Sequence, residues 1–352
     1  MPRTMLVTGA TGVLGHDLVG TARRAGWEVV GCSARGEDRP GGAVAWRMGA
    51  EPTPAALRRP WDVVVHAAAR PKWNLDDETA RQANVLPLDD LADVVGPDTH
   101  LVHVSTAYAI GTRGDTASTD RADYRNSYEW SKAEAERIVA ARWPDATIVR
   151  PPLVVGRRDD GAVARFNGLY TIVRSAVAGM LPVFVAETGA LSEIVSCCDV
   201  TACLLAAAER GPVPGGRVDV LGRGTGAATT KEVIDAMFVG LNRWRAAQGG
   251  PPFSPPSLVT PDQWHRFYLP FARPHMTQRQ RHFTDLLAEY LPYMAITEPM
   301  AVTWRVEPVL GCIERSIVRW AETFPRLAMA TPAPWVGSDD EGDEDDDELE
   351  TA

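Results

Sequence analysis

Short apolar runs alternate with amphipathic stretches through the first two-thirds of the chain. Met5-Leu-Val-Thr8, Trp27-Glu-Val-Val-Gly-Cys-Ser33, Trp61-Asp-Val-Val-Val-His66, Leu101-Val-His-Val104, Ala146-Thr-Ile-Val-Arg150 and Arg217-Val-Asp-Val-Leu221 are rich in valine and bounded by turn formers. Runs of that length and composition read as strands buried on both faces. A short strand near Val44–Trp46 interrupts the loop-like segment 36–60. Stretches with helical character lie between the runs, from about Val13 to Arg24, Asp77 to Val95, Ser127 to Arg137 and Asp199 to Arg210. The alternation predicts an α/β chain with a doubly wound parallel sheet.

Beyond Gly156 the pattern loosens. An amphipathic helix over Asp160–Met180 is expected, with Phe166, Tyr170, Ile172, Val173 and Val177 on its apolar face. Ser192–Val195 and the helix after it read as a return to the main sheet. Thr229-Thr-Lys-Glu232 has the form of a capping box for a helix running to about Gln248. Prolines between Pro251 and Pro261 break the chain, and helices follow near Thr277–Tyr290 and Glu307–Phe324. Residues 262–326 carry Trp264, Phe267, Tyr268, Phe271, Tyr290, Tyr293 and Trp304, read either as a lid over an apolar substrate arm or as packing.

The first strand runs into Gly9, Gly12 and Gly15 at a G-x-x-G-x-x-G spacing, and a helix opens at Val13. A strand, a glycine turn and a helix N-terminus together form a cradle for a dinucleotide pyrophosphate. Thr11, Val13 and Leu14 fall inside the turn. The alternative is a plain strand–turn–helix corner. The second strand ends in Ser33-Ala-Arg35, with no acid before Glu37. A hydroxyl and a guanidinium there suit a ribose 2′-phosphate, which favours NADP(H) over NAD(H); otherwise Arg35 is a solvated loop residue. Small residues Ala67, Ala68 and Ala69 at the end of the next strand let a flat cofactor lie against backbone. The expected organisation is a nucleotide-binding region over 1–155, a substrate-binding region over 156–337 with 194–222 returning to the sheet, and a tail over 338–352.

Composition changes one point. The net charge of −10 comes from the tail, whose ten carboxylates over Ser338–Ala352 carry no compensating base. Without them 36 acidic side chains face 36 basic ones, so the body is neutral and offers no basic stripe for nucleic acid. Such a tail is expected to be disordered. Five cysteines without a C-x-x-C pair, and a first strand that leaves no room for a signal peptide, point to reduced thiols in a cytoplasm. No apolar run is long enough to span a bilayer. His265, His275 and His282 sit at irregular spacings from carboxylates, so no metal site is expected.

Three further segments carry chemistry. Ser105-Thr106 lies at the tip of a strand, Tyr128 and Lys132 lie one turn apart on a helix, and Pro151-Pro-Leu-Val-Val-Gly156 forces extended backbone. A carbonyl receiving hydride needs a proton. Tyr128 can supply it, Lys132 can lower the phenol pKa by its charge, and Thr106 can hold the carbonyl oxygen. The ordered set resembles the extended short-chain dehydrogenase/reductases over about residues 4–222. That resemblance implies a Rossmann-type domain, with Thr106 orienting the carbonyl, Tyr128 as acid/base and Lys132 as its support. It also implies cofactor contacts at Ser105, Lys132 and the backbone of Pro151, Leu153 and Val154.

Within that superfamily, His66-Ala-Ala-Ala-Arg-Pro-Lys-Trp-Asn-Leu75, Ala83-Asn-Val85, Val102-His-Val-Ser-Thr-Ala-Tyr108 and Ile148-Val-Arg-Pro-Pro152 are similar to the thioester reductase and fatty acyl-CoA reductase branch. The implied reaction is NADPH-dependent reduction of an acyl thioester or its aldehyde or ketone, with a small-molecule substrate on CoA or a carrier protein and room for a homodimer. Leu101-Val-His-Val-Ser-Thr106 also resembles reductases of nucleotide-linked keto sugars, for which Arg157, Arg158 and Arg165 would have to build the diphosphate site. A cofactor-binding sensor without turnover is the third reading.

Overall fold

The computed structural model describes residues 2–331 except 39 and 182, and leaves aside the side chains of residues 279, 282, 283 and 286. The acidic run 338–352 lies outside the described residues. The chain divides into two compact units, one made of Met1–Val154, Cys197–Gly222 and Ala301–Val306, the other of Val155–Ser196, Arg223–Met300 and Glu307–Ala352.

In the first unit β1 (Thr4–Thr8), β2 (Glu28–Ser33), β3 (Val44–Ala45), β4 (Val63–His66), β5 (His100–Val104), β6 (Thr147–Arg150), β7 (Arg217–Gly222) and β8 (Trp304–Arg305) form one sheet. Their spatial order is β8-β7-β6-β5-β4-β1-β2-β3, and every pairing is parallel. The winding reverses between β1 and β4, and that switch point opens a crevice at the C-terminal ends of the strands. Helices α1 (Val13–Arg24), α2 (Asp77–Asn84), α3 (Ser127–Arg142) and α4 (Cys197–Arg210) belong to this unit.

One face of the sheet is apolar in a transverse row. Leu6 is in register with Val64, and Val64 with Leu101. These three join Ile148, Trp46, Trp61, Ala135 and Val139 in a single buried cluster. Ala135 and Val139 are on α3, so α3 covers this face. Lys132 is three residues before Ala135 and therefore points the same way. Asn126 starts α3 by accepting a bond from the Glu129 N–H at 3.0 Å.

Four expectations change. The strand read at Ser192–Val195 as a return to the main sheet lies outside the eight-stranded sheet, with Leu191–Ser192 and Ile194–Ser196 each in a two-stranded sheet of its own. The helix expected over 77–95 stops at Asn84, because Pro87 has no N–H to continue it, and two short turns follow over Pro87–Asp90 and Leu91–Asp93. The helix expected over 160–180 is only Leu169–Val177, opened by Gly168 at φ 62°. Residues 301–306, read as part of the substrate region, instead add β8 to the sheet edge, pairing Trp304 with Leu221. In the second unit the capping box forms as read: Thr229 accepts from the Glu232 N–H, and the helix runs Thr230–Ala247.

Candidate active site

The glycine turn after β1 is built by close approach. Gly9 has φ 68°, and a Cβ there would lie 2.8 Å from the carbonyl of Ala67. A Cβ on Gly15 would overlap the Gly9 carbonyl and reach 2.8 Å from the Ala10 Cα, so helix and turn touch through backbone. Gly12 differs, since a Cβ there would meet only the Gly9 oxygen, at 3.1 Å. Its other side is open. No side chain caps α1, and no acid lies in its first turn. The first N–H groups of α1 are thus left for an anion, and the turn with half-buried Thr11, Val13 and Leu14 fits a pyrophosphate. Thr8 ties the next segment in: its hydroxyl accepts the Ala68 N–H at 3.2 Å, and Ala69 follows at the surface.

The strand tip and α3 meet beside this turn. Ser105 and Thr106 are buried. Ser105 N–H donates to Val149 at 2.8 Å, and Ala107 N–H to the Pro151 carbonyl at 2.9 Å, which fixes the tip against the end of β6. Thr106 Oγ1 accepts from the Tyr108 N–H at 3.4 Å, leaving its own proton to donate outward. Lys132 is 1% exposed, and its Nζ donates to the Val104 carbonyl at 2.8 Å. Tyr128 is half-buried one turn earlier on α3. Among the described residues its phenol has no hydrogen-bond partner. Leu153 and Val154, half-buried, follow Pro151.

The electrostatics differ from the expectation in one respect. Desolvation pushes the Tyr128 phenol above its ordinary value of 10, where the sequence reading had Lys132 lowering it. Lys132 is itself pushed down to about 8 by burial, against the opposing pull of Glu136. Glu136 is held by Arg150 in a two-pronged pair at 2.9 and 2.5 Å. Next to Lys132 lies a feature the sequence reading did not single out. Thr8, His66 and His103 are in register across β1, β4 and β5 on the face that α3 covers. Thr8 Oγ1 lies 2.9 Å from His66 Nδ1, the two imidazoles stack with centroids 5.3 Å apart, and His103 Nε2 is 3.4 Å from Lys132 Nζ. Burial lowers His66 to about 3 and His103 well below 6.5, so both rings are neutral. The signal in the sequence was there: His66 and His103 stand among the valines and leucines of their strands, β5 carrying a further histidine, His100, at its start.

Ser33 is buried and its Oγ accepts the Gly36 N–H at 3.2 Å, while Arg35 is exposed at the same turn. Arg157 pairs with Asp159 at 3.2 Å, and Arg158 donates to the carbonyls of Glu307 and Pro308 at 2.9 Å, whereas Arg165 is exposed. Asp17, Cys197 and Cys198 offer ligand atoms within 4.8 Å of one another; His265 and His275 take no part in that group. In the second unit Trp264 is buried, but Phe267 and Phe271 are 61% and 74% exposed. They line an apolar hollow of about 610 Å³ with Val259, Gln263, Tyr268 and Ala272. Among the described residues no helix is long and apolar enough to cross a membrane.

Known proteins place the chain further. Residues 51–204 match the NAD-binding family described as male sterility protein. Methionine adenosyltransferase 2 subunit beta of Danio rerio is 29% identical over 160 residues, 44% of this chain and 49% of that protein. The chain thus spans about half the length of the curated relatives it matches. Among solved structures, the terminal R domain from the myxalamid PKS-NRPS biosynthetic pathway superposes with a TM-score of 0.67 at 18% identity, over 94% of this chain and 93% of that one. UDP-glucose 4-epimerase of Thermotoga maritima superposes with a TM-score of 0.60 at 15% identity, over 92% and 100%.

Proposed function

We propose, from the premise that this chain belongs to the extended short-chain dehydrogenase/reductase superfamily, that it is an NADP(H)-dependent reductase of an acyl thioester or the derived aldehyde or ketone. The observation that carries the reading is the 2.8 Å bond from Lys132 Nζ to the Val104 carbonyl. It ties the helix bearing Tyr128 and Lys132 to the strand whose tip bears Thr106, which supports reading the three side chains as one site.

Gly9, Thr11, Gly12, Val13, Leu14 and Gly15 would hold the pyrophosphate. Ser33 and Arg35 would take the 2′-phosphate, and Ala67, Ala68, Ala69, Ser105, Lys132 and the 151–154 backbone the remainder. When bound, the cofactor supplies the hydride that reduces the carbonyl carbon. Thr106 donates a hydrogen bond to the carbonyl oxygen and sets its direction. Tyr128 then gives its proton to that oxygen as negative charge develops there. Burial keeps the phenol in its protonated form; the same rise weakens it as an acid, and the positive charge of Lys132 would act in the opposite direction. Lys132, close to neutral pH in its titration, can restore the phenol proton.

The thioester reading is preferred to a nucleotide-sugar reading on one observation. Two of the three arginines a sugar diphosphate would need, Arg157 and Arg158, are already engaged by Asp159 and by the 307–308 backbone. Likeness to an R domain of a PKS-NRPS pathway supports the same side. The experiment is NADPH oxidation with an acyl-pantetheine and with a nucleotide 4-keto sugar. Turnover of the first alone is expected, and Tyr128→Phe should lower kcat by about 10²–10⁴-fold with NADPH binding retained. Turnover of the sugar alone, or an unaffected Tyr128→Phe enzyme, overturns the proposal. NADPH binding without turnover of either substrate favours the sensor.

A further inference from the structure

The strands beneath α3 carry aliphatic side chains at Leu6, Val64 and Leu101. Two residues further along, on the same face, they carry Thr8, His66 and His103. Each of these three is no more than 1% exposed. Polar groups in such positions cost stability unless they are bonded. Here two ring atoms, His66 Nε2 and His103 Nδ1, have no partner among the described residues. A valine or leucine at either place would pack without that cost. Among the described residues the row meets polar partners at its two ends, the Ala68 N–H at Thr8 and Lys132 at His103.

From this arrangement we propose that His103 is a positioning residue for Lys132, held in place by the stacked His66, which Thr8 orients. The proposal rests on the reading of Lys132 as part of the reactive site, but its physical content does not. Lys132 Nζ has two acceptors on the protein, the Val104 carbonyl at 2.8 Å and the His103 Nε2 at 3.4 Å. An ammonium has three protons. Two acceptors on the sheet side hold two of them, which turns the third away from the sheet.

The contact with Lys132 sets the tautomer of His103. A charged Lys132 can only donate, so His103 Nε2 accepts and Nδ1 carries the ring proton. Thr8 Oγ1, which also accepts the Ala68 N–H, lies 2.9 Å from His66 Nδ1 and holds that ring in place. Both rings are neutral, so neither repels the ammonium. A neutral acceptor favours the charged amine, opposing the desolvation that pulls Lys132 down to about 8. The other groups facing Lys132 are Glu136 and Tyr128 on its own helix, and Glu136 is already paired with Arg150. His103 is therefore the group on the sheet that tunes how readily Lys132 gives and takes a proton.

The chain has three lysines, Lys72, Lys132 and Lys231. With 13Cε-labelled lysine, the buried amine gives a resonance that can be followed through a pH titration apart from the two others. In the wild type it is expected to titrate near 8, below the ordinary lysine value of 10.5. His103→Leu should move it down by about one pH unit, and His103→Gln, which restores an acceptor, should return most of the shift. A Lys132 titration unmoved in a folded His103→Leu protein overturns the proposal. Should that variant fail to fold, 15N tautomer assignment in the wild type decides. The proton on His103 Nδ1 supports the proposal, and the proton on Nε2 refutes it. Neither readout depends on turnover. A shifted titration in a protein that reduces nothing keeps the inference and ends the reductase reading. Thioester turnover with an unshifted titration does the reverse.

Discussion

Replacing Lys132 by Met keeps the length of a side chain that is 1% exposed and removes its charge. The buried amine titrates at about 8 instead of its ordinary 10.5. At about 1.4 kcal/mol per pH unit, that difference amounts to about 3 kcal/mol between the charged and neutral forms in the folded protein. The sign follows from proton counting. Between pH 8 and 10.5 the unfolded chain keeps the proton that the folded chain has lost, so the wild type gains stability as pH rises through this window. Below pH 8 both states are protonated, and the contribution is flat. Lys132→Met has no such group, while every other titrating group is shared by the two proteins. Urea unfolding of both proteins at intervals from pH 7 to 10 therefore isolates the buried amine. The wild type should gain about 2–3 kcal/mol on the variant across that range. Two stability curves that stay parallel to within about 0.5 kcal/mol would refute the argument, because Lys132 would then titrate alike in both states.

Two further outcomes bear on cofactor binding. Gly15→Ala forces a Cβ into the Gly9 carbonyl; it should lower stability by about 1–3 kcal/mol and weaken NADPH binding, read by thermal unfolding and fluorescence titration, and a variant with unchanged affinity would discount the turn as the cradle. Arg35→Ala should cost NADPH about 10–100-fold in affinity and leave NADH unaffected, and an unaltered ratio of the two dissociation constants would dispose of the 2′-phosphate assignment.

Much of the sheet was legible because buried parallel strands write continuous valine-rich runs. β1, β4 and β5 are of this kind, and the glycine turn adds a local signal that depends on backbone approach alone. Asn84 was legible as a misfit. A mediocre helix former inside a helix, it turns out to bond the Arg70 N–H at 2.8 Å and Ser131 Oγ at 3.0 Å. β8 was not legible, since two residues paired across a long sequence separation leave no periodic trace. Nor was the state of Tyr128 and Lys132. A four-residue spacing tells which face they share, but desolvation depends on what α3 lies against, and that is set by residues of β4 and β5. The histidine row was written in the sequence yet hidden by its company, because His66 ends, and His103 lies within, a run that reads as plain core.

The chain crosses between its two units five times, and the last crossing but one returns six residues, 301–306, to the edge of the first unit's sheet. Neither unit can therefore be excised as one continuous fragment. A protein cut anywhere before residue 301 would leave the outer edge of β7 without its partner, open to pairing with another molecule. During synthesis the sheet must likewise wait until residue 306 has emerged before its final strand can dock. Expression of sub-fragments should yield aggregation-prone material, and any engineered transplant of the first unit has to carry the polypeptide at least as far as Val306.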